Sequence, residues 1–261
     1  MARRGCVFLM YHELEMPGRT LCQSSPGYVR YILMAGAFRE QMQWLKQSGY
    51  RGLSISEALP YAPEASVCIT FDDGCETDLI AAVPVLREFG FRATFYLTAG
   101  FLGTPGYLNV DQVRELDASG FEIGCHSMTH PYLSDLAEAD MKREIMDAKL
   151  RIEQIVGHGI EHFSLPGGRY DARTLEMARS AGFRTVATSL FHANSASTSH
   201  YKLGRVAIHR DTSLREFGAI CQGRGLWKKQ LRDWTRHGLQ RLLGNRTYDQ
   251  VRAVLLRTKE Q

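Results

Sequence analysis

The chain lacks the features that mark membrane-spanning, exported and nucleic-acid-binding proteins. No stretch of its 261 residues approaches the roughly 18 consecutive apolar residues that a transmembrane helix needs. The apolar run at residues 7–10, after the basic N-terminus, is too short for a secretory signal peptide. No helix-turn-helix spacing or basic-aromatic pattern indicates a nucleic-acid surface. We therefore expect a globular protein in the cytoplasm, without a nucleic-acid partner.

Closely paired cysteines, which are typical of structural zinc sites, are also absent. The six cysteines are Cys6, Cys22, Cys68, Cys75, Cys125 and Cys221. Three of them lie in or beside strands that carry candidate functional residues, where a disulfide would distort the chain. We expect free thiols in a reducing compartment, which agrees with a cytoplasmic location.

The net charge of +4 is small but unevenly distributed. Residues 224–261 contain ten Lys or Arg and three Asp or Glu, so this segment carries +7 and the remainder −3. Leucine and tryptophan interleave there with lysine and arginine, which predicts a basic amphipathic helix and a second helix at about 248–256. We expect one α/β domain over residues 1–221 and a helical tail over 222–261. The tail either packs on the domain as a hairpin or docks to an anionic membrane face or a partner enzyme.

A pair of adjacent carboxylates follows a short apolar run within residues 67–74. The run predicts a buried strand that ends in a turn, because β-prone residues lead into Asp-Asp-Gly. Successive strand residues point to opposite faces, so Asp72 and Asp73 are expected to have different roles. One can bind a metal ion while the other contacts substrate or water. The alternative is that Asp-Asp-Gly is only a solvated turn.

Two histidines follow a second predicted strand, at residues 121–125. His126 and His130 are four residues apart, so both rings can face one point if the chain turns helical there. Two imidazoles and one carboxylate leave open positions on a divalent ion. A lone histidine pair is more often structural, but its combination with a carboxylate pair after another strand indicates a catalytic metal centre.

Three motifs, in order, resemble those of the polysaccharide deacetylases, also called the NodB-homology or carbohydrate esterase family 4 group. Residues 70–74 (Thr-Phe-Asp-Asp-Gly) resemble the first motif and residues 126–130 (His-Ser-Met-Thr-His) the second. Residues 163–168 (Phe-Ser-Leu-Pro-Gly-Gly) resemble the third. The resemblance covers roughly residues 5–215. Residues 10–12 (Met-Tyr-His) are similar to the start of the circularly permuted subgroup that includes poly-N-acetylglucosamine deacetylases.

The order of predicted elements favours an α/β barrel. Strands alternate with helices seven or eight times without internal repeats, which predicts parallel strands. The resemblance implies the distorted (β/α)7 barrel of the family, to which the tail would add a C-terminal helical extension. Chemistry in such barrels gathers at the C-terminal ends of the strands, so His12, directly after the first predicted strand, is a functional candidate.

The resemblance also implies a role for each motif residue. Asp73, His126 and His130 would hold a divalent metal ion, zinc in the first place, with cobalt or nickel as alternatives. Asp72 would act as general base on a water molecule. A backbone N–H near Gly167 would stabilise the oxyanion of the reaction. The expected substrate-binding residues are Gly167, Gly168 and Tyr11.

Two departures from the family pattern leave alternatives open. The general acid is usually a histidine after a late strand, where this sequence has His209, but His12 follows the first strand. The similarity to the permuted subgroup favours His12. Ser164 stands where an arginine often orients the catalytic aspartate, and serine cannot form the same bidentate ion pair. Arg205 is the candidate substitute, and Arg169 is a second one.

The resemblance implies removal of acetyl groups from N-acetylhexosamine units of a polysaccharide or lipid-linked glycan. Together with the basic tail, this suggests a substrate or a glycan-synthesis partner at the inner membrane face. Two other functions remain open. A deacylase of a small non-sugar amide or ester would use the same centre, and a degenerate module would bind glycan without turnover. The intact carboxylate and histidine pairs argue against the degenerate module.

Overall fold

A computed structural model describes residues 5–59 and 63–226 of the chain. The helices predicted for the basic tail lie beyond residue 226, outside the described residues. Within the described part, no helix has both the length and the apolar character that crossing a bilayer requires.

Ten strands and nine α-helices make up the described chain. The strands are β1 (Val7–Tyr11), β2 (Leu14–Glu15), β3 (Leu33–Met34), β4 (Arg51–Leu53), β5 (Ser66–Phe71), β6 (Thr94–Leu97), β7 (Glu122–Cys125), β8 (His162–Ser164), β9 (Thr185–Ala187) and β10 (Val206–Ala207). The helices are α1 (Pro26–Val29), α2 (Ala35–Gln47), α3 (Ile55–Ala58), α4 (Val83–Phe89), α5 (Val110–Ala118), α6 (Glu138–Lys142), α7 (Ala148–Val156), α8 (Ala172–Ser180) and α9 (Leu214–Cys221).

Seven parallel strands follow one another around a barrel. Their order is β10-β1-β5-β6-β7-β8-β9. Leu203 forms a parallel bridge with Ala187 of β9, and the chain then continues into β10, which pairs with β1. The segment that leads into β10 therefore contacts the other end of the sheet through this one isolated bridge. An eighth strand, β4, pairs with the first half of β5.

Two π-helical turns interrupt the helical layer around the barrel. Asp78–Ala82 runs directly into α4, and Arg143–Asp147 joins α6 to α7. The second helical stretch begins at Glu138 and is preceded by a separate 3₁₀ turn, Leu133–Asp135, with extended backbone at Leu136. Single π-helical turns are frequent at functional sites. The first of these two carries Asp78 and the second carries Glu144, whose surroundings are described below.

Alternation along the strands divides side chains between the barrel interior and the helix layer. Tyr11 of β1 and Phe71 of β5 pack in the large apolar core that includes residues of α2. Phe8 belongs to a separate inner cluster. Because the period is two, His12 and Asp72 continue the inner face at the C-terminal ends of β1 and β5. Both line the same cavity.

Candidate active site

A cavity of about 520 Å³ opens at the C-terminal ends of the barrel strands. It is lined by most of the residues that the sequence predicts to be functional, namely His12, Asp72, Asp73, His126, His130, Gly167, Arg205 and His209. Gly168 and Tyr11 are not among its lining residues. The sheet therefore brings together side chains from five separate strand ends, because the carboxyl ends of parallel strands share one edge.

Asp73, His126 and His130 form a group that can hold a metal ion. Asp73 Oδ1 lies 3.6 Å from His126 Nε2 and 3.5 Å from His130 Nε2. One ligand atom from each residue lies within 4.8 Å of the other two. Asp73 Oδ1 is buried and has no hydrogen-bond partner in the described chain. A buried carboxylate oxygen that faces two imidazole nitrogens fits a divalent cation with N and O ligands.

The orientation of His126 leaves its Nε2 atom available as a ligand. The ring nitrogen Nδ1 is 2.8 Å from the carbonyl oxygen of Ser164, so Nδ1–H donates to that oxygen and the lone pair resides on Nε2. Burial lowers the pKa of His126 to about 4, against the opposing effect of the Asp72 carboxylate. The ring is therefore neutral near pH 7, as a metal ligand must be.

The two histidines converge through a strained loop, and the helical turn suggested by their spacing is wrong. Ser127 and His130 have positive φ angles of 68° and 63°, which non-glycine residues seldom adopt. The Ser127 hydroxyl accepts the backbone N–H of His130 at 3.0 Å. Asp73 also has a positive φ, of 79°. Three site residues thus hold left-handed backbone conformations, which persist only where surrounding contacts enforce them.

Glu144, on the second π-helical turn, supplies such contacts. Its Oε2 accepts the backbone N–H groups of Met128 and Thr129 at 3.0 and 2.8 Å. Its Oε1 accepts the Thr129 hydroxyl at 2.6 Å. Glu144 lies 14 residues beyond His130, and no local spacing in the sequence connects the two.

Glu144→Gln is expected to weaken zinc binding by about 10- to 100-fold, because an amide retains one acceptor oxygen and releases part of the histidine loop. A zinc titration against a competing chelator measures this. Glu138→Gln, an exposed position on α6, is the matched control and is expected to bind as the unaltered chain does. Equal zinc affinity of the Glu144 variant and the control would contradict a positioning role.

Asp72 and Arg205 form a buried bidentate ion pair. Arg205 Nη1 donates to Asp72 Oδ1 at 2.6 Å and Nη2 donates to Oδ2 at 2.8 Å. The Arg205 side chain is fully buried, and its other N–H groups donate to the hydroxyls of Thr70 and Ser164 and to the carbonyl of Thr188. All five guanidinium donors therefore have acceptors, which is the condition for burying this charge.

The environment of Asp72 keeps its carboxyl ionised. Burial alone would raise its pKa, but the charges of Arg205 and His126 and the hydrogen bonds from Arg205 outweigh burial and hold the pKa well below its usual value. Ser164 bridges the pair, since its hydroxyl lies 3.3 Å from Asp72 Oδ2 and accepts from Arg205. Arg205 occupies the position that the sequence left open, whereas the Arg169 guanidinium stacks 3.7 Å from the Tyr132 ring centroid.

The two candidate acids, His12 and His209, both lie next to one aromatic ring, that of Tyr31. The ring centroid of Tyr31 is 4.9 Å from that of His12 and 5.1 Å from that of His209. Burial lowers the pKa of His12, while the carboxylates of Asp73 and Asp72 act in the opposite direction. His12 Nδ1 is buried without a hydrogen-bond partner in the described chain. The pKa of His12 therefore depends on the charge of Asp73, one of the metal-binding residues.

The glycines of the third motif make a tight turn against the cavity wall. Gly167 and Gly168 have φ angles of 61° and 67°. A Cβ atom on Gly167 would lie 2.7 Å from the Tyr132 ring, and one on Gly168 would lie 2.4 Å from the Ser189 hydroxyl. The Gly168 N–H donates to the carbonyl of Leu165, so this donor is engaged within the turn. Gly167 lines the cavity. Gly168 has no Cβ atom, which lets the turn approach Ser189 closely.

Tyr11 lies in the core instead of contacting the cavity, which corrects its expected role in substrate binding. Its ring packs between Phe38 and Phe71, at centroid distances of 5.2 Å from each, and its hydroxyl donates to Gln41 Oε1 at 2.8 Å. The reason is the two-residue period of β1, which turns Tyr11 outward and His12 inward.

Tyr11→Phe is expected to destabilise the fold by about 1–3 kcal/mol, because it leaves the buried Gln41 oxygen without its donor. Urea unfolding measures this effect. Zinc affinity and substrate affinity are expected to stay unchanged. A variant with normal stability and weaker substrate binding would contradict the core assignment.

Comparison with known proteins agrees with this arrangement. Residues 61–186 match the family model described as polysaccharide deacetylase. YxkH of Bacillus subtilis, which is named as a polysaccharide deacetylase, is 30% identical over 191 residues, 71% of this chain and 68% of that protein. The chain belongs to the polysaccharide deacetylase family.

Two further similarities bear on subgroup and fold. A poly-β-1,6-N-acetyl-D-glucosamine N-deacetylase of Staphylococcus aureus is 24% identical over 72% of this chain and 71% of its own length. The structure of the Streptococcus pyogenes deacetylase PplD in complex with acetate matches with a TM-score of 0.74 at 24% identity, over 83% of this chain and 98% of that one. The predicted family, the barrel fold and the enzyme class, a hydrolase of carbon–nitrogen bonds outside peptides, are confirmed.

Proposed function

We propose that this protein is a metal-dependent N-deacetylase that removes acetyl groups from N-acetylhexosamine units of a polysaccharide or lipid-linked glycan. The observation that carries the proposal is that the two adjacent carboxylates, Asp72 and Asp73, have different partners. Asp73 Oδ1 lies 3.6 and 3.5 Å from Nε2 of His126 and His130, whereas Asp72 forms a bidentate ion pair with Arg205 and lies 3.8 Å from His126 Nε2 alone. The family match and the names of the relatives, among them a poly-N-acetylglucosamine deacetylase, support the substrate class.

Zinc is the metal that we propose for Asp73, His126 and His130. A carboxylate and two imidazoles are a donor set that suits zinc and leaves positions open for water and substrate. When bound, such an ion polarises a carbonyl oxygen and lowers the pKa of water. Cobalt and nickel accept the same donors, so both belong in an activity screen.

Asp72 is proposed as the general base that takes a proton from the attacking water. Its low pKa keeps it unprotonated at neutral pH, so it is ready to accept. Arg205 donates one bond to each Asp72 oxygen, and the single Ser164 hydroxyl hydrogen can donate to only one of them, so a lone pair stays available on the other. Arg205 also fixes the plane of the carboxylate, because a bidentate pair permits one orientation.

His12 is proposed as the general acid that protonates the leaving sugar amine, with His209 as the alternative. An acid must carry its proton before transfer; burial lowers the pKa of His12, and the carboxylates of Asp73 and Asp72 oppose that shift by favouring the protonated ring. The backbone N–H near Gly167 is proposed to donate to the oxyanion. Aromatic rings of Tyr31, Tyr132 and Phe191 line the same cavity and offer flat faces for a sugar ring.

The decisive experiment is a screen of acetylated substrates with zinc, cobalt or nickel, in which released acetate is measured. We expect acetate from oligomers of N-acetylglucosamine and none from simple acetyl esters or small amides. Release from esters or amides alone would support a small-molecule deacylase and overturn the glycan proposal. Glycan binding without acetate release under any metal would indicate a degenerate binding module.

For the basic tail we propose attachment to an anionic membrane surface, which would bring the enzyme to a glycan or synthesis partner at the cytoplasmic face. The support is the charge of +7 over residues 224–261. Co-sedimentation with vesicles that contain anionic lipid tests this. We expect the full chain to sediment and a chain that ends at Gly223 to stay in solution; equal, negligible binding by both would end the proposal.

A further inference from the structure

A second group of metal-ligating side chains lies beside the first but shares no residue with it. Glu13, Cys22 and Cys75 each offer one ligand atom, and these atoms lie within 4.8 Å of one another. Glu13 follows His12, and Cys75 lies two residues after Asp73. Cys22 comes from the loop between β2 and β3. Glu13 and Cys22, nine residues apart, thus meet the turn that carries Cys75 at a point where Glu13 and Cys75 are buried and Cys22 is half-buried.

The separation of the two sulfur atoms fits joint coordination of one ion. Cys22 Sγ and Cys75 Sγ are 3.6 Å apart. A disulfide requires about 2.0 Å. Two thiolates on one tetrahedral zinc ion, with bonds of about 2.3 Å, lie about 3.8 Å apart. Both cysteines are free thiols here.

The other atoms around the sulfurs suit this geometry. The Glu13 carboxylate is buried and is held by the backbone N–H of Cys22, at 3.0 and 3.1 Å from its two oxygens. This bond still leaves lone pairs for a cation. The Tyr28 hydroxyl lies 3.5 Å from Cys75 Sγ, where it can donate to a thiolate. The Cys22 thiol donates to the carbonyl of Gly106 at 3.1 Å, and metal binding would replace this bond.

A buried carboxylate next to this group has no partner. Asp78, on the first π-helical turn, is fully buried, and neither of its oxygens has a hydrogen-bond partner in the described chain. Its backbone N–H donates to the carbonyl of Cys75 at 2.9 Å, so it lies on the same turn. Burial raises the pKa of the Asp78 carboxyl, and the nearby ionisable groups of Asp73, Cys22 and Glu13 act in the same direction. Burial of an uncompensated carboxylate is unfavourable, and a nearby divalent cation would offset it.

We propose that Glu13, Cys22 and Cys75 bind a second, thiophilic divalent cation of the zinc class, with Asp78 as its nearby counter-charge. Binding replaces two S–H bonds with two metal–sulfur bonds and releases both protons to solvent. The site goes beyond the proposed deacetylation, since none of its ligands belongs to the catalytic group.

A cation at this position would hold part of the wall of the catalytic cavity in place. The segment that carries Cys22 also carries Tyr28, Arg30 and Tyr31, and these three residues line the cavity. Cys75 lies on the turn that carries the catalytic carboxylates. The ion would therefore cross-link the cavity wall to that turn, and would stabilise the chain against unfolding as any ligand of the folded state does.

Cobalt titration of the reduced, full-length chain tests the proposal, because cobalt bound to thiolate gives a charge-transfer band in the near ultraviolet and cobalt at an Asp-His-His site does not. We expect this band in the unaltered chain, together with a second cobalt ion per chain in metal analysis. Cys22→Ser and Cys75→Ser are expected to lose the band and one ion. Cys221→Ser, which alters a buried thiol on α9, is the matched control and is expected to keep both.

His130→Ala separates this proposal from the catalytic one, because it removes a ligand of the first group only. It is expected to lose one cobalt ion and keep the thiolate band. Absence of the band from the reduced, unaltered chain would overturn the second site, whether or not the first group still binds cobalt. Persistence of the band in both Cys22→Ser and Cys75→Ser would overturn it as well.

Discussion

Asp72→Asn is expected to lower kcat by about 10²- to 10⁴-fold, and the folded chain is expected to keep its metal ion although it loses stability, because the buried Arg205 loses its counter-charge. The amide has the shape of the carboxylate but cannot accept a proton from water. Asp73, His126 and His130 are untouched, so metal content is expected to equal that of the unaltered chain. Acetate release at saturating substrate, together with metal analysis and circular dichroism on the same sample, measures all three quantities.

The matched control for this variant is the neighbouring carboxylate. Asp73→Asn is expected to lose activity through loss of metal, because it alters a ligand of the group. The two isosteric changes at adjacent positions therefore give opposite results in metal analysis. Unchanged kcat in Asp72→Asn would show that another group accepts the proton, and loss of metal from it would show that Asp72 is itself a ligand.

Arg205→Met is expected to destabilise the protein by about 3–5 kcal/mol, because it leaves the buried Asp72 carboxylate unpaired. It also removes the donors that satisfy Thr70, Ser164 and Thr188. Without the guanidinium, burial is expected to raise the pKa of Asp72, so activity is lost at neutral pH along with stability. Urea unfolding at fixed pH measures the change in free energy.

Two comparisons make the Arg205 result specific. Arg184→Met breaks an exposed ion pair with Glu161, 2.7 Å long, and is expected to change stability by less than about 1 kcal/mol. The double variant Arg205→Met, Asp72→Asn removes both charges and is expected to lose less stability than the sum of the single variants. Additive losses, or an Arg205 effect as small as that of Arg184, would contradict a coupled buried pair.

The sequence predicted the features that depend on strand ends. Asp72 and Asp73 follow one short apolar run and His126 follows another, and parallel strands bring such positions to one edge whatever the helices between them do. The pairing of Arg205 with Asp72 could also be predicted. Ser164 stands where an arginine is expected to orient the aspartate, and Arg205 supplies a cation at the start of the last strand. The family resemblance then implied which of these residues bind the metal ion and which transfer protons.

What the sequence did not predict depends on local backbone geometry or on contacts between distant segments. Tyr11, an expected substrate-binding residue, lies in the core because the two-residue period of β1 turns it to the face opposite His12. The loop at His126 and His130 uses positive φ angles at residues that are not glycine, which composition does not reveal. Cys22 and Cys75 approach each other only through the folded arrangement of separate loops.

The most direct test of the account is a crystal structure of the zinc-loaded chain with anomalous data at the zinc edge. We expect an ion within about 2.0–2.2 Å of one Asp73 oxygen and of Nε2 of His126 and His130. At least one coordination position should be open to solvent, and Asp72 should lie outside the ligand set, paired with Arg205. An ion wrapped by four protein ligands including Asp72, or no anomalous peak at these three residues, would contradict the account.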